Sequence, residues 1–296
     1  MMSFNTPAEI AVEVCRSGKA KTEMPLLRLI VLGILAGVYV GFGANLATKI
    51  GSAVDADSAM GIFLYGAVFS VGLMLVVIGG AELFTGNNMT CFVSALKRGS
   101  SWGGLLYNWS VVFAANFAGS LLLVCIIYHS GYWQAADTTS GSAALSAMGA
   151  RAAAIAKAKL SLTWMQAFLR GISCNWLVCL AVWLAYAARD IAGKILAIFF
   201  PIMAFVSSGF EHSVANMYFI PMGIFIAPGA PAAVAEGLAL TPEALGVLFT
   251  TGALFRNLLP VTLGNIVGGA LFTGGFYWFV YLKDRPGACP EGEPPA

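Results

Sequence analysis

Six apolar runs alternate with short polar stretches along the chain, at about 26–47, 60–84, 104–128, 162–187, 195–226 and 250–282. A bilayer-crossing helix needs roughly 20 apolar residues, so each run predicts a spanning helix. The last two are longer than one bilayer requires, which predicts a break, a tilt or an interfacial end in each. Between the third and fourth runs, an Ala/Ser/Thr/Gly-rich stretch at about 130–160 reads as a loop. After the fifth, APGAPAAVAEGLALTPEAL reads as a loop with one short surface helix starting near Pro242. Ahead of the first run, Thr6, Pro7 and Glu9 have the order of an N-cap, a first-turn proline and a capping-box acid. They predict a short helix over about 7–16, which is either a membrane-surface element, a gate or a plain anchor.

Composition agrees with a membrane solvent. The chain is 59% hydrophobic and 10% charged, against roughly 25% charged in soluble domains, too little polar surface to cover a soluble fold. A net charge of +2 gives no bulk field for nucleic acid. The 34 glycines suit closely packed membrane helices. Cys15, Cys91, Cys125, Cys174, Cys179 and Cys289 include no C-x-x-C pair, and His129 and His212 are the only histidines. A metal site or disulfide framework is therefore not expected, and the cysteines read as small apolar packing residues. Glu9 and Glu13 stand where the apolar core of a signal peptide would lie.

Basic residues orient the spans. With the N-terminus in the cytoplasm, Arg16, Lys19, Lys21, Arg28, Lys97, Arg98, Arg189, Lys194, Lys283 and Arg285 lie inside. Lys49, Arg151, Lys157 and Lys159 lie outside. This predicts both termini inside, consistent with six spans.

The chain also repeats itself. Gly80-Ala81-Glu82-Leu83 in the second run parallels Gly209-Phe210-Glu211-His212 in the fifth. Asn108, Asn116 and Gly119 share their spacing with Asn257, Asn265 and Gly268. Spans one to three thus echo spans four to six. Three is odd, so the second half enters the membrane inverted, an arrangement that places a solute path between broken helices.

Both breaks carry an acid. Glu82 follows Gly79-Gly80-Ala81, either within a break at membrane depth or at the end of span two. Glu211 and His212 sit mid-run in the fifth span. Unwound backbone at that depth is tolerated where it is buried in protein or lines a cavity, and an intramembrane ionisable residue points to function. The expected partners of both acids are backbone N–H groups freed by the breaks. His212 titrates near neutrality when unperturbed and reads as lining a pore, whereas His129 reads as surface. Asn175 and Asn265 are amides that serve either an anion, a broken backbone or interhelical hydrogen bonding. Lys157 and Lys159 precede span four, where they draw anions to an entrance or act as ordinary outside charges.

Four motifs, GAELFTGNN at 80–88, NWLVCLAVW at 175–183, GFEHSVANMYFIP at 209–221 and NLLPVTLGNIVGG at 257–269, resemble the formate/nitrite transporter family over about residues 5–285. The resemblance implies an all-α membrane protein: six transmembrane helices in an inverted 3+3 repeat, aquaporin-like, with helices two and five broken, assembled as a homopentamer. It implies His212 between two apolar constrictions, with Thr85 facing it. The constrictions map onto Phe69, Leu73, Leu83, Phe84, Val178 and Phe205, the pore asparagines onto Asn175 and Asn265, and the vestibule lysine onto Lys159. Glu82 and Glu211 become structural acids at the breaks.

The implied function is passage of a small monovalent weak-acid anion, most simply formate or nitrite, past a histidine that shares a proton with it. Hydrosulfide, lactate or acetate selectivity, or a neutral-solute channel, are the alternatives. Paired Asn-Pro-Ala breaks are absent, which counts against the neutral-solute channel. Glu211, His212 and Ser213 are consecutive and point apart on a helix, and no H-E-x-x-H is present, so an enzyme is not expected, nor a cofactor, metal or nucleic acid. The expected organisation is an N-terminal cytoplasmic amphipathic helix at 1–25, a channel domain at 26–283 and a disordered cytoplasmic tail at 284–296. The expected location is the inner (plasma) membrane.

Overall fold

The computed structural model describes residues 4–135, 145–285, 287 and 289. Helix α1 (Pro7–Thr22) begins at the expected capping box: the Thr6 hydroxyl accepts from Glu9 N, and the Glu9 carboxylate accepts from Thr6 N at 2.7 Å. It continues past residue 16 to Thr22, with Gly18 serving as a packing residue. A Cβ there would meet the Thr90 carbonyl. Its start is fastened to the end of a later helix, with Asn5 N donating to Ala187 O at 2.9 Å.

Then come α2 (Leu26–Gly51), α3 (Ala59–Phe69), α4 (Val71–Gly79), α5 (Phe84–Leu96) and α6 (Trp102–His129). The stretch read as a loop at 130–160 holds a further helix, α7 (Ala147–Leu160). Ser146 caps it, and its buried face, Ala152, Ala153, Ile155 and Ala156, is built largely from alanine. Alanine favours helix but gives little apolar periodicity to read. The second half continues with α8 (Trp164–Ala187), α9 (Ile191–Ser207), α10 (Ser213–Gly229), α11 (Pro231–Gly237) and α12 (Pro242–Leu248). Helix α12 is the surface helix expected near Pro242, while α11 was not foreseen. The last run is continuous: α13 (Thr251–Ile266), a π-helical stretch Val267–Gly275, and α14 (Phe276–Tyr281).

Among the described residues, α2, α3–α4, α6, α8 and Thr251–Tyr281 are long and apolar enough to cross a membrane, and α10 bent by 119° into α11 brings the count to six. The expected fifth run is divided between α9 and α10, while the expected second run, 60–84, covers α3 and α4 and ends where α5 begins at Phe84. Both first halves end on a glycine in left-handed backbone, Gly80 at φ 79° and Gly209 at φ 69°, a conformation costly to any residue with a Cβ.

The two halves pack alike. A Cβ on Gly119 would strike the Ile34 carbonyl, holding α6 against α2. A Cβ on Gly268 would strike the Ile172 carbonyl, holding the last run against α8 in the same way. Small residues at such crossings let membrane helices approach.

One cysteine expectation is corrected: Cys15 of α1 is disulfide-bonded to Cys289. Their separation of 274 residues leaves no local spacing to read, and the fold brings the chain ends together. Apart from Cys289, the tail beyond 285 lies largely outside the described residues.

Candidate functional site

Each break frees backbone groups that need partners at membrane depth. The structure supplies asparagines. Asn116 Oδ1 accepts from Phe84 N at 2.9 Å, while its Nδ2 donates to Gly33 O at 2.8 Å and Glu82 O at 2.9 Å. Asn265 repeats this in the other half: Oδ1 accepts from Ser213 N at 2.8 Å, and Nδ2 donates to Gly171 O at 2.8 Å and Glu211 O at 2.9 Å. A neutral amide has both donors and an acceptor, so one side chain satisfies both ends of a break.

The acids have other partners than expected. Glu82 accepts from Lys21 Nζ, and from Asn87 Nδ2 at 2.8 Å. Asn87 also donates to Asn108 Oδ1 at 2.9 Å, and Asn108 holds the Lys21 carbonyl at 2.9 Å. Glu211 accepts from Lys159 Nζ at 2.9 Å and Asn216 Nδ2 at 2.7 Å. Asn216 donates to Asn257 Oδ1 at 2.8 Å, and Asn257 holds the Lys159 carbonyl at 2.9 Å. The reading of the acids as struts for loose N–H groups is thereby corrected. A buried carboxylate is better compensated by an ammonium, and the strut role passes to Asn116 and Asn265.

Two cavities lead to these networks. One, of about 410 Å³, is roofed by α1 and lined by Lys21, Leu73, Val76, Glu82, Leu83 and Lys194 among others. The other, of about 270 Å³, is roofed by α7 and reaches Lys159, Glu211 and His212. Phe69, Phe205 and Phe219 close in on it: the Phe69 and Phe205 rings lie edge to face at 5.8 Å, Phe69 stacks on Phe219 at 6.3 Å, and Phe205 stacks on His212 at 5.9 Å.

The first cavity ends at Leu83 and the second at His212, with one polar contact between them. His212 Nε2 lies 2.9 Å from Thr85 Oγ1. His212 Nδ1 accepts from Ala215 N at 3.0 Å, so it carries no hydrogen. The partners therefore assign the neutral tautomer with its proton on Nε2, donated to Thr85.

The expected site residues fall into two groups. Phe69, Leu73, Leu83, Phe205, Lys159, Glu82, Glu211 and His212 line a cavity, and Thr85 joins them through His212. Phe84, Val178, Asn175 and Asn265 line neither. The Phe84 ring turns to Trp109 and Phe113, at 6.3 and 5.0 Å. Val178 is enclosed in the core. Asn175 Nδ2 donates to Asn265 O at 2.7 Å and to Thr85 O at 3.1 Å. Lys21 and Phe219 were missed. Lys21 stands in α1 as Lys159 stands in α7, a match visible once α7 is recognised as a helix. Phe219 lies two turns into α10, where nothing in an apolar stretch distinguishes one phenylalanine from another.

A family model described as formate/nitrite transporter matches residues 8–279. A protein named "Probable formate transporter" from Methanothermobacter thermautotrophicus is 44% identical over 292 residues, covering 95% of this chain and 99% of that protein. Formate channel FocA of Escherichia coli (strain K12) is 35% identical over 283 residues, covering 94% of this chain and 95% of that one. A solved structure described as a pentameric formate channel with formate bound matches with a TM-score of 0.72 at 37% identity, covering 87% of this chain and 98% of that chain.

Proposed function

The chain belongs to the formate/nitrite transporter family, and from that premise we propose that it is a homopentameric formate channel whose selectivity step lies at the His212–Thr85 contact. It is a multi-pass membrane protein that moves small anions, not an enzyme. Formate as the principal substrate and the pentamer follow the named relatives. The basic residues support α1 and both termini on the cytoplasmic side, in the inner membrane. Within this reading the first helix, Pro7–Thr22, roofs the cytoplasmic cavity, and the channel domain follows it.

The observation that carries the mechanism is the bonding of His212. A bare anion meets a high desolvation barrier between Leu83 on one side and the Phe69, Phe205 and Phe219 rings on the other. The Nε2–H of His212 is donated to the Thr85 hydroxyl, a group that can itself donate or accept. As the anion arrives, Nε2–H redirects from Thr85 to a carboxylate oxygen and shares its proton there. Complete transfer requires His212 first to take a proton from the aqueous side at Nδ1, which breaks the Ala215 N–H bond to Nδ1; the Nε2 proton then passes to the carboxylate and a neutral imidazole remains. Thr85, able to donate or accept, follows either state. Lys21 and Lys159, each held by its glutamate, bring the anion to the two ends.

Proteoliposome flux of formate, nitrite, lactate, hydrosulfide and chloride across a pH series tests this reading. Formate and nitrite should pass fastest, with flux rising as pH falls toward the acid range. Chloride passing as fast as formate, with no pH dependence, would contradict it.

A further inference from the structure

The two cavities are related by the internal repeat, so residues that differ at matching positions isolate what each side adds to the common frame. Lys21 matches Lys159 and Glu82 matches Glu211, and each pair neutralises itself. The backbone identifies two further matches. Glu82 N donates to Leu32 O, and Glu211 N donates to Arg170 O. The α7 cavity therefore has an arginine where the α1 cavity has a leucine. Arg151, two turns before Lys159 in α7, takes the place that Glu13 holds in α1. What remains after the paired charges is Lys194 on the α1 side, but Arg151 and Arg170 on the α7 side.

Neither arginine has an acidic partner among the described residues. The ion pairs there are Arg16–Glu13, Lys21–Glu82 and Lys159–Glu211. The Arg151 guanidinium lies over the Tyr65 ring, 5.7 Å from its centre, and its Nε is enclosed without a hydrogen-bond partner. Arg170 Nη1 reaches the Gly209 carbonyl only at 3.5 Å, at the limit of a hydrogen bond. Guanidinium donors form a planar fork that matches two oxygens of a carboxylate, whereas an ammonium acts as a point charge. A stacked, unpaired fork beside a cavity that ends at the substrate-facing histidine is suited to receive an oxyanion.

We propose that Arg151 and Arg170 form a capture site for a small carboxylate or similar planar monoanion in the α7 cavity, ahead of Lys159 and His212, and that the α1 cavity has no equivalent. The proposal rests on the formate reading above. It makes entry from the two mouths unequal in half-saturating concentration although the central step is shared.

Zero-trans formate entry, measured from each mouth in vesicles of known channel orientation, tests it. In Arg151→Gln/Arg170→Gln, the half-saturating concentration at the α7 mouth should rise roughly tenfold, the size of a lost charge-assisted contact. At the α1 mouth it should change less than about twofold, within the scatter of a residue that makes no contact. Arg151→Lys, keeping the charge and losing the fork, should give a rise of about threefold, part of that same contact. Equal shifts at both mouths, or none at either, would overturn the site. Unaltered behaviour of Arg151→Lys would overturn its preference for carboxylates. Absence of formate flux in the unaltered protein would instead overturn the formate reading, and the site with it.

Discussion

The half of the molecule built on α1 to α6 and the half built on α7 to α14 share a frame and differ in chemistry. The frame is the asparagine clasp on each break (Asn116, Asn265) and the Lys–Glu–Asn–Asn ring beside it. It recurs with the same donors and acceptors, in the same order, within a few tenths of an ångström. The chemistry lies where matched positions disagree. Leu83 stands against His212, Thr85 against Val214, and Leu32 against Arg170. A fold that must satisfy two broken helices at membrane depth has little freedom in its clasps, so they stay paired. The step that handles the solute occurs once per pathway, so its residues are free to diverge.

If that division holds, the largest effect comes from breaking a clasp. Asn116→Leu and Asn265→Leu each strand one buried N–H and two carbonyls. At about 1–3 kcal/mol for each unsatisfied group, either should cost about 3 kcal/mol or more. Thermal unfolding in detergent should show nearly equal losses at both positions, and a tolerated change at one alone would break the equivalence.

The next effect is at the rings. Removing one partner of a fully buried ion pair costs about 3–5 kcal/mol. The lysine side chains here are 18% and 13% exposed, which lowers the expected loss to about 2 kcal/mol. Lys21→Met and Lys159→Met should lose similar stability in the same assay. Adding Glu211→Gln to Lys159→Met should recover most of it, because no charge is then left unpaired.

Thr85→Val leaves a single donor, His212 Nε2–H, without its partner, so it should cost less stability than a clasp, about 1 kcal/mol, and act mainly on flux. It makes position 85 identical to its counterpart Val214 and removes the partner of Nε2. Formate flux should fall by about tenfold, the value of one hydrogen bond to a group that carries the proton.

The smallest effect is at the α1 cap. Hydrogen bonds from the Thr6 backbone and then its hydroxyl hold the Glu9 carboxyl below its ordinary 4.5. A lowered folded-state value gives stability that is present above 4.5 and lost as pH falls through the lowered value. Protease cleavage near α1 should therefore increase only in that acid window. Glu9→Ala should remove the pH dependence.

Much of this frame was legible in the chain. The breaks, the two acids and the repeat follow from apolar runs interrupted by glycine and polar residues, and the repeat spacing singled out Asn116 and Asn265 without giving their role as clasps. What each polar residue binds was not. Glu82 and Glu211 were assigned to loose N–H groups because their lysines lie in α1 and α7, and α7 was hidden by its alanine face. Phe84, in sequence a neighbour of Leu83 and Thr85, was read as a constriction. The restart of the helix turns it toward Trp109 and Phe113 instead. The Cys15–Cys289 bond depended on two chain ends meeting, which no local pattern encodes. Local pattern thus located the breaks, while partner choice needed three dimensions.

A shared frame with a single chemical step at His212 is tested most directly by His212→Leu, which gives position 212 the residue its counterpart 83 already holds. Leu83 begins α5 with no side-chain cap, so the substitution has a tolerated precedent in the same fold. Stopped-flow formate flux, with thermal unfolding in parallel, is the measurement. Flux should fall at least about tenfold, the value of the lost donor, and lose its pH dependence, while unfolding shifts little. Unchanged flux with unchanged pH dependence would contradict the assignment of the central step to His212.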